Sequence, residues 1–230
     1  MSSEFDPVAD SYADLVTRSV AFSGRDTDHF ARRKADALIR LAARRVGEPT
    51  GLRALDVGCG IGMTDRYLAP HFGELHGIDT APQAVELAAA TNPSVHYRSY
   101  NGERLPYTDG DFDVAFAICV LHHVPPPQWD AFAGEMARVV RPGGIVAVFE
   151  HNPLNPLTRL AVSRCEFDED AVLLGRRRAA QVLEAAGLDV IERRYIIFLP
   201  FGGQRVERME GGLAWLPLGA QHYVAGRRPA

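Results

Sequence analysis

The residues best placed to do chemistry are three closely spaced glycines that follow a short apolar run. The run, Leu52–Val57, is expected to form a strand, and Gly58, Gly60 and Gly62 come directly after it. Glycines let the backbone approach a ligand closely and adopt dihedral angles that a Cβ forbids. The helix expected next, to about Phe72, would point its unpaired N–H groups at the same place. The pattern predicts a nucleotide-shaped pocket at the carboxyl end of the first strand of an α/β sheet.

The spacing of these glycines separates two classes of nucleotide-binding protein. The dinucleotide fingerprint G-x-G-x-x-G needs its third glycine at position 63, where this chain has Met63. With Asp56 included, the run reads D-x-G-x-G-x-G and resembles motif I of the class I S-adenosylmethionine (SAM) methyltransferases. The resemblance implies that the loop contacts SAM through Asp56, Gly58, Cys59, Gly60 and Met63.

A second acid lies at the end of the next expected strand, Glu74–Ile78. Asp79 follows Gly58 by 21 residues, a spacing that lets its carboxylate accept both ribose hydroxyls of an adenosine. The same charge would repel a 2′-phosphate, which argues against NADP. Asp79 or Thr80 could instead cap the helix that begins at Pro82, and the two roles are compatible. We expect both residues to contact the cofactor.

Two further segments extend the resemblance. Residues 101–107 resemble the D-A-E-x-L-P-F segment whose acid or amide holds the adenine amino group in this family. The usual Asp is Asn101 here, and its amide can still accept from the adenine amino group and donate to a ring nitrogen. Gly102 and Glu103 are therefore expected at the cofactor. In the family, the backbone at the tip of strand four also faces the cofactor, which implicates Cys119.

The first 48 residues are expected to form a helical cap over the cofactor. The stretch FDPVADSYADL resembles the F-D-x-x-A-x-x-Y opening of many small-molecule methyltransferases, and a long amphipathic helix is predicted at Asp28–Arg45. The resemblance places Tyr12 near the methionine end of SAM. Tyr12 could instead pack a helix on the sheet.

Adjacent histidines follow strand four, which is predicted at Val114–Val120. On an extended strand His122 and His123 cannot both point the same way, so we expect one in the pocket and the other in packing. A hydroxyl acceptor needs a base, and a histidine suits that task, whereas an amine or carboxylate acceptor needs none. The candidate catalytic residues are His123, His151 and Glu150. The histidine pair alone does not indicate a metal site, and no metal is predicted.

The resemblance also implies the fold. It is a doubly wound, Rossmann-like sheet of seven strands in the order 3-2-1-4-5-7-6, with strand seven antiparallel and helices on both faces. We expect one domain over residues 1–230, with a helical cap at 1–48. Segments 151–174 and 199–216 are expected as insertions on the substrate side. Residues 199–220, which are rich in Gly and Pro, are predicted to form a hairpin-like excursion.

Composition excludes several partners. The net charge of −4 gives no electrostatic case for binding nucleic acid or an anionic membrane. The longest apolar run, Val114–Leu121, is far too short to span a bilayer. The polar, acidic N-terminus is no signal peptide, and three cysteines without C-x-x-C spacing suit a reducing cytoplasm. We expect a cytoplasmic monomer or homodimer.

These features predict a SAM-dependent methyltransferase that uses in-line attack by an oxygen or nitrogen nucleophile. The acceptor is expected to be a small molecule, such as a secondary metabolite or a lipid-quinone-like compound. The tip of strand four lacks the Asn-Pro-Pro-Tyr motif of base or glutamine methyltransferases. Two alternatives stay open: a SAM-binding protein with a non-methylating role, such as a cyclase or regulatory subunit, and a dinucleotide-dependent oxidoreductase.

Overall fold

Seven strands form one sheet in the order β3-β2-β1-β4-β5-β7-β6, as predicted. The structure, a computed structural model, describes residues 27–165, 168, 170–199 and 204–230, with side chains described from residue 209 onwards in the last range. Tyr12 and the rest of the expected N-terminal cap before residue 27 lie outside the described residues. The strands are β1 Arg53–Val57, β2 Glu74–Asp79, β3 His96–Ser99, β4 Phe112–Ile118, β5 Val140–His151, β6 Asp189–Ile196 and β7 Gln221–Arg227.

Helices alternate with these strands along the chain. They are α1 Thr27–Arg45, α2 Asp65–Leu68, α3 Pro82–Thr91, α4 Trp129–Val139, α5 Pro156–Val162, α6 Arg176–Ala185 and α7 Gln204–Leu213. Short 3₁₀ turns occupy Pro49–Gly51, Leu121–His123 and Pro126–Gln128. Within the described residues, no helix is both long enough and apolar enough to cross a membrane.

The first five strands pair in parallel, and β7 runs antiparallel between β5 and β6. The central strands are apolar along most of their length because helices cover both of their faces. On one face, α4 and α6 pack on Phe112 and Val148. On the other, Leu38 and Leu41 of α1 pack against Phe116 and Phe149. The parallel arrangement brings the carboxyl ends of β1, β2, β4 and β5 to one edge of the sheet.

Three local expectations were wrong. The helix after the glycine loop covers only Asp65–Leu68, because Pro70 lacks the N–H that would continue it to Phe72. The run Arg-Pro-Gly-Gly at 141–144 resembles the family's turn before strand five and predicts a strand that starts at Ile145, but β5 begins at Val140. The run is an irregularity within the strand, where the register against β4 shifts. The segment 199–216 contains α7 rather than a hairpin, and its buried Glu210 forms an ion pair with Arg33 of α1.

Candidate active site

The loop after β1 has the conformation that its glycines predict. Gly58, Gly60 and Gly62 all have positive φ, at 84°, 51° and 72°. A Cβ on Gly58 would lie 2.6 Å from the side chain of Val120, so no larger residue fits there without a shift. The N–H groups of Gly58 and Cys59 both donate to the carbonyl of Ile78, at 2.7 and 3.1 Å. The loop is thereby fixed against the tip of β2.

The carboxylate of Asp79 lies at this junction and is 7% exposed. One of its oxygens accepts from the N–H of Gly60 at 2.8 Å, and the other accepts from the N–H of Ala81 at 3.0 Å. Each carboxylate oxygen can accept a further bond, so these contacts leave capacity for ribose hydroxyls. The neighbouring Thr80 is exposed. The backbone contacts orient the carboxylate at the position where the sequence predicts ribose binding.

The expected adenine segment lies beside Asp79. The N–H of Tyr100 donates to the carbonyl of Asp79 at 3.0 Å, which ties the end of β3 to the tip of β2. The side chain of Asn101 accepts from the N–H of Glu103 at 3.1 Å. Gly102, with φ of 81°, approaches Thr80, since a Cβ on it would lie 3.3 Å from that side chain. The structure therefore brings the predicted ribose and adenine residues together.

Two buried acids lie under the glycine loop. Asp56 and Asp65 are both buried, and their carboxyl groups are hydrogen-bonded to each other. Burial, followed by the charge of Asp65, raises the pKa of Asp56 well above its usual range. Burial also raises the pKa of Asp65 to about 6 although Tyr97 donates to it. The pair therefore shares one proton and carries one negative charge, which fits the cationic sulfonium or ammonium group of SAM.

A cationic side chain enters the site from helix α1. Lys34, the single lysine of the chain, places its Nζ 3.8 Å from the Sγ of Cys119. Gln221, at the start of β7, donates to the same sulfur at 3.5 Å. Burial raises the pKa of the Cys119 thiol, but the charges of Lys34 and His151 outweigh it and lower that pKa to about 7.

Cys119 is also one of two non-glycine residues with positive φ in the described chain, at 58°. Its N–H donates to the carbonyl of Phe149 at 2.8 Å, so the turn at the end of β4 is anchored to β5. Non-glycine residues adopt this conformation rarely and often at functional sites. The geometry is compatible with the predicted exposure of this backbone to a cofactor.

The histidine pair differs from expectation. His122 and His123 lie on a 3₁₀ turn rather than on an extended strand, and the Nε2 atoms of both rings approach one oxygen of Asp168, at 3.5 and 3.4 Å. The prediction that the two side chains diverge was therefore wrong, since a tight helical turn does not alternate its side chains as a strand does.

Glu150 lies behind His122 and is fully buried. It accepts from the N–H of Leu121 at 2.9 Å and contacts Nδ1 of His122 at 2.5 Å. Burial lowers the pKa of His122, but Glu150 and Asp168 outweigh it and raise that pKa to about 10. Burial raises the pKa of Asp168, but bonds from His122 and His123 hold it well below its usual range. Two carboxylates therefore flank one imidazole.

His151 lies on the open side of this cluster, at the end of β5. Its ring centroid lies 5.1 Å from that of His122, and its Nδ1 lies 3.5 Å from Nε2 of Gln221. Gln221 also contacts Cys119, so His151 adjoins the expected cofactor pocket. The structure thus groups the three catalytic candidates at the carboxyl ends of β4 and β5, with Glu150 buried, His123 exposed and His151 partly exposed.

Sequence reasoning missed four residues of this region: Lys34, Asp65, Asp168 and Gln221. Asp65, Asp168 and Gln221 carry no local motif and reach the site only through the fold. Lys34 had one signal, because it is the only lysine beside 24 arginines.

Comparisons with known proteins agree with this geometry. Residues 55–148 match a family described as a methyltransferase domain. The chain is 35% identical over 155 residues to a 2-methyl-6-phytyl-1,4-hydroquinone methyltransferase of Synechocystis sp., with 61% of this chain and 47% of that protein covered. It is 32% identical over 147 residues to an uncharacterized methyltransferase of the same organism, with 62% of this chain and 69% of that protein covered. The chain thus spans about half the length of the first relative.

A similar fold occurs in a solved complex described as that between the Haloferax volcanii Trm112 methyltransferase activator and the putative methyltransferase. The TM-score is 0.68 at 20% identity, with both chains fully covered. This likeness concerns the fold alone. Together with the sequence relatives, the strand order and the glycine loop, it leads to one conclusion: the chain belongs to the class I SAM-dependent methyltransferases, whose cofactor is S-adenosylmethionine.

Proposed function

We propose that this protein transfers the methyl group of SAM to an oxygen of an apolar small molecule, such as a phenol or hydroquinone. The observation that carries the proposal is the position of His151. It lies beside Cys119 at the expected cofactor pocket and is partly exposed on the side where the chain leaves β5. A positioned histidine there can accept the proton of a hydroxyl while that oxygen attacks the methyl group.

SAM would be held by the residues at the strand tips. Asp79 would bind the ribose, and residues 101–103 would surround the adenine. The buried acids Asp56 and Asp65, which share one proton, supply a single negative charge for the cationic part of the cofactor. Lys34 supplies a positive charge beside Cys119, where it suits the carboxylate of the methionine moiety. SAM provides an activated methyl group, so the protein contributes chiefly alignment, which is worth roughly 7–11 kcal/mol at most.

An apolar surface supports the choice of acceptor. Leu154, Leu157, Trp215 and Leu218 are each at least 60% exposed, which is unusual for a set of large apolar side chains. The two segments that carry them are joined, since the side chain of Asn155 donates to the carbonyl of Leu218 at 2.7 Å. Leu154 and Leu157 lie in the expected substrate-side insertion 151–174, Trp215 lies at the end of the insertion 199–216, and Leu218 follows it by two residues. The hydroquinone named for one relative is a compound of the same apolar, hydroxylated class.

The test is methyl transfer from SAM carrying a deuterated methyl group to a panel of acceptors. The panel holds an alkyl hydroquinone, an aromatic amine and an aromatic carboxylic acid, each analysed by mass spectrometry. We expect a labelled methyl ether from the hydroquinone and loss of most turnover in His151→Ala. SAM binding without transfer to any member of a broad panel would contradict methyl transfer and favour the non-methylating alternative, such as a cyclase.

A further inference from the structure

We propose that His122, His123 and Asp168 form a binding site for a divalent transition-metal ion such as Zn²⁺, with Glu150 positioning His122. The three side chains come from the tip of β4 and from the segment between α5 and α6. The ligand atoms of the three side chains lie within 4.8 Å of one another. Two imidazoles and one carboxylate are a ligand set that suits zinc or iron.

Two of the three separations between the ligand atoms match the edges of a tetrahedral site. The Nε2 atoms of His122 and His123 lie 3.5 and 3.4 Å from the same oxygen of Asp168. These distances exceed those of good N–H···O hydrogen bonds, about 2.7–3.2 Å. A tetrahedron with metal–ligand bonds of about 2.1 Å has edges of about 3.4 Å. The direct contacts of the two imidazoles with Asp168 are therefore long, and an ion between the three side chains would replace them with metal–ligand bonds.

The surroundings of His122 resemble those of a metal-bound histidine. In protein metal sites the second ring nitrogen usually donates to a carboxylate, which fixes the tautomer and the ring orientation. Here the carboxylate of Glu150 lies 2.5 Å from Nδ1 of His122, and both side chains are 1% exposed. The N–H of Leu121 donates to the other oxygen of Glu150 and holds the carboxylate in place. Nε2 of His122 consequently faces Asp168.

The site has an entrance and a free coordination position. The side chain of His123 is 29% exposed, whereas those of His122 and Asp168 are 1% and 11% exposed. Three protein ligands leave the fourth position to solvent, as in catalytic zinc sites. An acceptor oxygen could occupy that position next to His151, and this last step alone rests on the proposed function. Binding of the ion does not depend on it.

Two alternatives compete with this inference. A proton on His122 could satisfy both flanking carboxylates without any ion. A second cluster in the described chain, Glu74, His76 and His96, also places ligand atoms close together. There, however, the guanidinium of Arg53 lies 3.4 Å from Nε2 of His76 and 3.2 Å from Glu74, and its charge opposes a dication. The geometry therefore favours the first cluster.

The experiment is a calorimetric titration of the chelator-treated protein with ZnCl₂. A parallel titration with CoCl₂ reads the visible absorption of bound Co²⁺, whose intensity distinguishes tetrahedral from octahedral coordination. The variants are His123→Ala and Asp168→Asn, with His96→Ala as the matched control from the second cluster. Far-ultraviolet circular dichroism and SAM affinity verify that each variant is folded.

We expect one Zn²⁺ per chain, intense tetrahedral Co²⁺ bands, and at least tenfold weaker binding in both His123→Ala and Asp168→Asn. The His96→Ala variant should bind like the unmodified protein. Absence of Zn²⁺ binding would overturn the proposal and leave His122 as a proton-bridged ion pair. Binding that survives in His123→Ala, or that disappears in His96→Ala, would overturn it as well. None of these outcomes depends on methyl transfer.

Discussion

At the residue scale, Asp79 is the strongest test of the cofactor site. Replacing it with Ala removes the proposed acceptor for the ribose hydroxyls and the hydrogen bonds that its oxygens accept from the N–H groups of Gly60 and Ala81. We expect the dissociation constant of SAM to rise more than tenfold, since hydrogen bonds to a charged group are worth about 1.5–3 kcal/mol. Calorimetric titration measures this change.

The matched control is Asp189→Ala, at an exposed aspartate that begins the edge strand β6. It should leave SAM affinity unchanged. An Asp79→Ala variant that is folded and binds SAM as tightly as the unmodified protein would remove Asp79 from the ribose site.

The buried contacts of His122 should make the free energy of unfolding depend on pH. The flanking carboxylates raise its pKa to about 10 in the folded protein, against about 6.5 when unfolded. The interactions that raise this pKa stabilise the folded protein fully below pH 6.5. This stabilisation is lost as the pH rises through 10. In the presence of a chelator, the urea midpoint of the unmodified protein should therefore fall between pH 6.5 and 10 more steeply than that of His122→Gln. Parallel curves for the two proteins would contradict this account of the buried pair.

At the scale of elements, replacing glycine by alanine should have opposite effects on stability in the glycine loop and in helix α4. Gly58→Ala forces an alanine into φ of 84° and places its Cβ against Val120, so we expect a loss of about 1–3 kcal/mol in the free energy of unfolding. Gly134→Ala lies in helix α4 with open space around it, and it should add about 0.5–1 kcal/mol. Urea denaturation measures both. Equal effects of the two substitutions would contradict the strained geometry of the loop.

The sequence predicted the elements whose signals are local. Short stretches of sequence identify the glycine loop, the acid after β2 and the segment after β3. The strand order was predicted from the family resemblance. Asp168 lies 45 residues after His123 and has no motif of its own, so its approach to the histidine pair could not be foreseen. Helix α7 was predicted as a hairpin because its segment is rich in Gly and Pro, whereas its contact with α1 through Glu210 is a tertiary interaction that the local sequence does not show.

At the scale of the whole molecule, we expect the acceptor to bind the exposed apolar surface formed by Leu154, Leu157, Trp215 and Leu218. The double variant Trp215→Ser and Leu218→Ser removes two large exposed apolar groups. If they contact the acceptor, KM for an alkyl hydroquinone should rise about tenfold or more, because burying such side chains is worth about 1.5–3 kcal/mol each. SAM affinity should stay constant, since neither side chain belongs to the expected cofactor residues.

The control for that prediction is Leu87→Ser, which removes an exposed leucine of helix α3, outside the two apolar segments. It should change neither KM nor SAM affinity. A double variant with unaltered KM would show that the acceptor binds elsewhere, whereas equal weakening of SAM binding would indicate damage to the fold rather than to the acceptor surface.

The most direct test of the central claim is a calorimetric titration of the protein with SAM, S-adenosylhomocysteine and NADH in parallel. The account predicts micromolar binding of SAM and S-adenosylhomocysteine and no binding of NADH, because the loop has Met63 where the dinucleotide fingerprint requires glycine. Binding of NADH without binding of SAM would contradict the assignment of the pocket at the tips of β1, β2 and β4.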